Sequence, residues 1–195
     1  MADREIRARL ENAEIRAEDG EIRVSGYAAI FGEETNIGGM FTEVIERGAF
    51  KNAIARQDDV VFLINHDGLP LARTRSGTLT LTEDERGLRV DMALPQTSYG
   101  ADIEQLVRAG IVHSYSFGFS VPSGGDAFSA DGSTRELREI RLHEVSIVTG
   151  FPAYPATDSA QVRTTEELPA EPADEPAPGR SVALAQRYLA LNAKR

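Results

Sequence analysis

Thr78-Leu-Thr-Leu-Thr82, Glu83-Asp-Glu-Arg-Gly87 and Leu88-Arg-Val-Asp-Met-Ala-Leu94 are two runs of strict alternation around a polar, glycine-closed turn. Alternation places apolar side chains on one face of a pleated strand and polar ones on the other, so this stretch reads as a half-buried β-hairpin. On its N-terminal side, residues 21–31 read as a strand bent at Gly26, residues 41–50 lead into a short helix ending near Arg56, and residues 60–65 form a strand. On its C-terminal side, residues 99–109 read as a helix capped by Thr97 or Ser98 and stopped by Gly110. Strands over 111–121 and 139–149 follow, separated by a loop holding Gly124-Gly125 and Asp131-Gly132. The fold class is α+β: a strand-rich, closed or half-closed antiparallel β-barrel with a few flanking helices.

Composition bounds what such a domain does. The chain has 195 residues, 41% of them hydrophobic, enough for one sizeable core and a peripheral segment. A net charge of -10 argues against duplex DNA or an anionic membrane as the main partner. The absence of cysteine removes disulfides, thiolate nucleophiles and cysteine-ligated zinc at once. No secretory signal and no long apolar run is visible, so a soluble cytoplasmic protein is expected. Four segments emerge: a charged N-terminal stretch (1–19), the domain (20–163), a linker (164–179) and a terminal amphipathic helix (180–195). The linker, TTEELPAEPADEPAPG, carries four prolines, five acidic residues and no Lys or Arg. In the last segment Leu184, Tyr188 and Leu191 line one side behind a Ser181 N-cap.

Candidate chemistry falls on three segments. His66 ends the apolar run Val60-Val-Phe-Leu-Ile-Asn-His66 in a chain with only three histidines. In Ser114-Tyr-Ser-Phe-Gly-Phe-Ser120, alternation sets Ser114, Ser116, Gly118 and Ser120 on one face and His113, Tyr115, Phe117 and Phe119 on the other. A row of small residues backed by aromatics makes room for a nucleophile, or equally for a close-packed neighbouring strand. His113, on the opposite face, is set aside as the base for Ser116. In Arg141-Leu-His-Glu-Val-Ser-Ile-Val-Thr149, consecutive His143 and Glu144 are expected on opposite sides, so only one faces a given site. A carboxylate orients an imidazole and stabilises the imidazolium, which suits Glu144, or else Glu144 is an ordinary solvated strand residue.

Five motifs, in order, resemble the prohead (capsid maturation) proteases of HK97-type tailed phages, serine peptidases distantly similar to herpesvirus assemblin. They are Gly26-Tyr-Ala-Ala-Ile-Phe-Gly32, Glu46-Arg-Gly-Ala-Phe50, Asn65-His-Asp67, Ser114-Tyr-Ser-Phe-Gly-Phe119, and Glu144-Val-Ser-Ile-Val-Thr149 followed by Pro152-Ala-Tyr-Pro155. The resemblance implies Ser116 as nucleophile, His66 as base and Glu144 as third member, with His143 the alternative because the assemblin relatives use a histidine there. It implies no metal and no organic cofactor. It further implies cleavage of the scaffold (delta) region of the major capsid protein, and of the chain itself, inside the immature capsid in a bacterial host's cytoplasm, with self-association. A non-catalytic assembly or scaffolding protein on the same fold, or one retained in a prophage or gene transfer agent, is the other class. The backbone near Gly118 or Gly150 is the candidate source of an oxyanion donor.

Overall fold

A computed structural model describes residues 4–10, 13–18 and 21–149. The linker and the terminal amphipathic helix expected after residue 163 lie outside the described residues. The chain order is β1 (Glu5–Leu10), β2 (Glu14–Glu18), β3 (Glu21–Ile30), β4 (Thr35–Ile37), β5 (Phe41–Ile45), α1 (Lys51–Ala55), β6 (Val61–Ile64), β7 (Asp67–Arg73), β8 (Leu79–Glu83) and β9 (Gly87–Ala93). Then come α2 (Ser98–Arg108), β10 (Ser114–Ser120), β11 (Asp126–Phe128), β12 (Thr134–Leu137) and β13 (Arg141–Val148). They build a five-stranded sheet in the order β1-β10-β13-β6-β7 and two four-stranded sheets, β2-β3-β9-β8 and β11-β12-β5-β4.

The hairpin of residues 78–94 forms as its alternation predicts, with Leu79 opposite Met92 and Leu81 opposite Val90. Its core face, Leu88, Val90 and Met92, is fully buried, together with Val24 of β3. Helix α2 starts where expected: the Thr97 hydroxyl accepts the Gly100 N–H at 3.1 Å, and Gly110, at φ 68°, follows its end. Against that sheet packs the aromatic face of β10. Phe117 meets Phe50 edge-on at 5.8 Å, Tyr115 meets Phe62 at 6.3 Å and Phe117 stacks on Phe119 at 5.1 Å. Gly26 marks this approach rather than a bend, since a Cβ there would overlap the Tyr115 ring. The irregularity in β3 falls between Tyr27 and Ala29 instead.

The strand-rich α+β class forms with its few helices, but not as a closed antiparallel barrel: none of the sheets closes, and two pairings, β12 with β5 and β13 with β6, are parallel. Closure requires two edges with unbroken rows of backbone donors and acceptors. Edge strand β7 carries Pro70, which has no N–H to offer, and edge strands β4 and β11 are only three residues long. Strands also form where none was expected. The loop between β10 and β13 contains β11 and β12, and the charged residues 5–10 and 14–18 form β1 and β2.

Strand β1 is held by buried charge. Arg7 bonds Glu43 with Nε at 2.5 Å and Nη2 at 2.8 Å, and also reaches Glu5 at 2.8 Å. Arg135 binds Glu5 at 2.7 Å, Glu43 at 3.2 Å and Asp126 at 2.8 Å. Glu43 is 2% exposed and stands between the two guanidiniums. Removing it leaves two nearly buried cations with the more exposed Glu5 as their one shared carboxylate and Asp126 on Arg135 alone. Glu43→Ala is therefore expected to lower unfolding free energy by about 2–3 kcal/mol, less than for a fully uncompensated buried charge, measured by urea denaturation, whereas an exposed pair such as Arg108–Glu104 contributes under about 1 kcal/mol.

Candidate active site

His66 stands on the two-residue turn between β6 and β7. Asn65 (φ 51°) and His66 (φ 64°) both adopt left-handed backbone between the paired Ile64 and Asp67, as a tight hairpin with the right-handed strand twist demands. Asn and His are among the side chains found most often in this conformation, yet each non-glycine residue held there costs roughly 1 kcal/mol or more and persists where surrounding contacts over-determine it. Those contacts are present. The Asn65 side chain donates to Thr149 Oγ1 at 2.9 Å and accepts the Thr149 N–H at 2.9 Å, fastening the turn to the end of β13.

Glu144 is reached from that turn. His66 Nδ1 lies 2.7 Å from Glu144 Oε1, and the Ser146 hydroxyl donates to Oε2 at 2.5 Å. Arg4 Nη2 adds an ion pair at 3.0 Å to Oε1. Glu144 is 2% exposed. Burial alone pushes its pKa up, but the bonds from His66, Ser146 and Arg4, with the charge of His66 when protonated, more than offset this and hold it below the usual carboxylate range. With the carboxylate ionised, the proton in the 2.7 Å bond belongs to the imidazole. Neutral His66 then carries its hydrogen on Nδ1 and presents Nε2 as the acceptor nitrogen.

The strand register explains how both parts of the site reach one face. Gly118 pairs with Glu144 and Phe119 with Leu142, so His143 and Glu144 together fill the place of one residue. This β-bulge re-aims the strand. Leu142, Val145 and Ile147 point into the core, leaving His143, Glu144 and Ser146 on the outer face. The expectation that His143 and Glu144 point to opposite sides thus fails at the bulge, because strict alternation holds only in an unbroken ladder. His143 nevertheless takes a different partner, Ser120 Oγ at 2.8 Å from its Nε2. Burial, then the charges of Arg4 and Arg141, lowers its pKa. The carboxylate, not His143, touches His66.

On β10, Ser116 and Gly118 share the outer face as read from the alternation, while Tyr115, Phe117 and Phe119 lie in the core. Ser116 pairs with Ser146, the residue whose hydroxyl stands 3.4 Å from His66 Nδ1. It is fully buried, and its hydroxyl donates to the Arg7 carbonyl at 2.7 Å rather than to His66. His113, exposed and outside β10, contacts Ser114 at 3.0 Å. Gly118 is the residue that lets Glu144 lie where it does, since a Cβ there would overlap Glu144 Oε1 and crowd Arg4. Gly150 lies outside the described residues. Sequence reasoning missed Ser146, Asn65 with Thr149, and Arg4. Only Ser146 carried a signal, its two-residue spacing from Glu144. Among the described residues no cluster of metal-ligating side chains occurs, and no helix is long and apolar enough to cross a membrane.

Comparison with known proteins gives two findings. The model of the caudovirus prohead serine protease family matches residues 10–170. The solved structure of the bacteriophage T4 capsid assembly protease, gp21, superposes with a TM-score of 0.51 over 76% of this chain and 98% of that one, at 12% identity, a likeness of fold. A search of curated proteins finds no match.

Two outcomes test the site's geometry. Gly118→Ala should drive the carboxylate off His66, seen as loss of the downfield His66 Nδ1 proton resonance by NMR while the remaining spectrum stays folded. Glu144 has a lowered pKa in the folded chain, so its ionic contribution is present above the ordinary carboxylate pKa and lost as pH falls through the folded value. The stability gap between the unaltered chain and Glu144→Gln should accordingly be full at neutral pH and shrink in acid, read from denaturation midpoints across pH.

Proposed function

Because this chain belongs to the caudovirus prohead serine protease family, we propose that it is a capsid-maturation endopeptidase using Ser116 as nucleophile, His66 as base and Glu144 as the carboxylate that orients the imidazole. The observation that carries this reading is the 2.7 Å bond from His66 Nδ1 to a buried, ionised Glu144. That bond fixes the tautomer with Nε2 available, the state in which an imidazole accepts a hydroxyl proton. In the reaction, the Ser116 hydroxyl, once released from the Arg7 carbonyl, gives its proton to His66 Nε2 as its oxygen attacks a peptide carbonyl. The imidazolium, stabilised by Glu144, then returns that proton to the leaving amine, and water hydrolyses the acyl-enzyme by the same route. Ser146 holds the second carboxylate oxygen, so that the first stays on His66.

The substrate proposed is the scaffold region of the major capsid protein, together with this chain's own acidic, proline-rich segment at residues 164–179, an extended composition open to a protease. Action inside the immature capsid follows from that substrate. A non-catalytic assembly role on the same fold draws on one observation, the Ser116 hydroxyl already engaged by Arg7.

Co-expression with the shell protein separates the two. Shortening of the shell subunit should occur with the unaltered chain and fall by about 10³-fold or more with Ser116→Ala and with His66→Ala, scored by intact mass. Shells that form without shortening, or shortening that persists in Ser116→Ala, would count against the peptidase mechanism.

A further inference from the structure

The N-terminal strand touches the candidate site at two points. Arg7, in β1, places its carbonyl oxygen 2.7 Å from Ser116 Oγ, and Arg4, just before β1, places its guanidinium 3.0 Å from Glu144 Oε1. Strand β1 also pairs with β10 along its whole length, Ala8 opposite Ser116 and Ile6 opposite Gly118. A stretch of four residues therefore lays extended backbone along the strand that carries the nucleophile, with one carbonyl against the nucleophile itself. That is how a peptide bound by strand addition engages a sheet.

We propose that the β10 edge is the peptide-binding edge of this enzyme, and that residues 4–7 occupy it as a tethered inhibitory strap. The inference rests on the reading of Ser116, His66 and Glu144 given above. While the strap is seated, the Ser116 proton is committed to Arg7 and cannot pass to His66. Arg4 occupies the same carboxylate oxygen that must support the imidazolium, and a cation there disfavours placing a second one on His66. Catalysis requires the strap to leave and an extended peptide to take the vacated backbone groups.

The chemistry of that peptide follows from what the strap uses. Glu5 and Arg7, two residues apart and so on one side of the strand, bind Arg135 and Glu43. Without the strap the cradle is left as Arg135 held by Glu43 at 3.2 Å and by Asp126 at 2.8 Å. It is then ready to receive an extended segment with an acidic and a basic side chain at the same two-residue spacing.

The test uses the full chain and a fluorophosphonate probe, which labels only an activated serine. Labelling of Ser116 is followed by mass, and amide hydrogen exchange of residues 5–10 by peptide mapping. Arg4→Ala removes the contact to Glu144. Glu5→Ala loosens the strap at Arg135, away from His66 and Glu144, so its effect reports release and not the site's electrostatics. Both should raise exchange in β1 and speed Ser116 labelling by about fivefold or more, the scale of one charged contact, with Arg4→Lys close to the unaltered chain. Exchange that rises without faster labelling, or exchange unmoved in both variants, overturns the strap, and labelling of the unaltered chain then leaves the peptidase reading standing. If Ser116 is labelled in no variant although β1 exchange rises, the nucleophile assignment falls as well.

Discussion

A carboxylate held out of water remains charged only where donors replace the solvent it has lost. Glu144 meets that condition with His66 on one oxygen, Ser146 on the other and Arg4 beside the first. Each donor comes from a different part of the chain: the β6–β7 turn, β13 itself and the start of the N-terminal strand. The parallel pairing of β13 with β6 brings the turn alongside, and the antiparallel pairing of β13 with β10 sets Gly118 opposite. Gly118 is thus coupled to the chemistry through space alone: its missing Cβ is the volume in which the carboxylate lies.

The bulge at His143 and Glu144 is the second constraint. Without it, Glu144 on the outer face would put Leu142 there as well, exposing a core residue and turning His143 inward. The extra residue lets Leu142 and Val145 both reach the core while two polar side chains share the outer face. This divides the labour between the two groups: His143 bonds Ser120, and Glu144 bonds His66. The strained turn at His66 belongs to the same economy, because the Asn65–Thr149 contacts that over-determine it also fix the distance from imidazole to β13.

Much of this was legible from residue patterns, and the failures have physical causes. The hairpin at 78–94, helix α2 with its Thr97 cap and the inner and outer faces of β10 follow from local periodicity and capping chemistry. His66 and Glu144, read from different segments, do meet. Strands β1 and β2 alternate charged and apolar residues, but β1 does so inside out: Ile6 is exposed while Glu5 and Arg7 are largely covered, so its apolar positions do not mark a core face. Arg7 and Glu43 are buried as ion partners, and pairing across 36 residues leaves no periodic trace. Strands β11 and β12 are short and lie among glycine-rich turns, so long-range pairing decides them. Barrel closure was inferred from strand number, whereas closure depends on edges, and Pro70 spoils one of them. Alternation misassigned His143 because a bulge is a property of two strands together.

Charge balance on Glu144 links the N-terminal strand to the chemistry. One carboxylate supports one cation well. With Arg4 on Oε1, forming an imidazolium at His66 places two cations on a single negative charge. At an effective dielectric near 20, such a repulsion is about 3–4 kcal/mol at contact distance, and less here because Arg4 is 48% exposed. In the proposed mechanism even the reduced penalty bears on the step in which His66 takes the Ser116 proton, and withdrawal of Arg4 would remove it. The Ser116–Arg7 bond acts in the same direction on the other partner of that transfer. A single segment of four residues therefore touches both partners of the proposed proton transfer, the serine through its hydrogen and the histidine through its counter-ion.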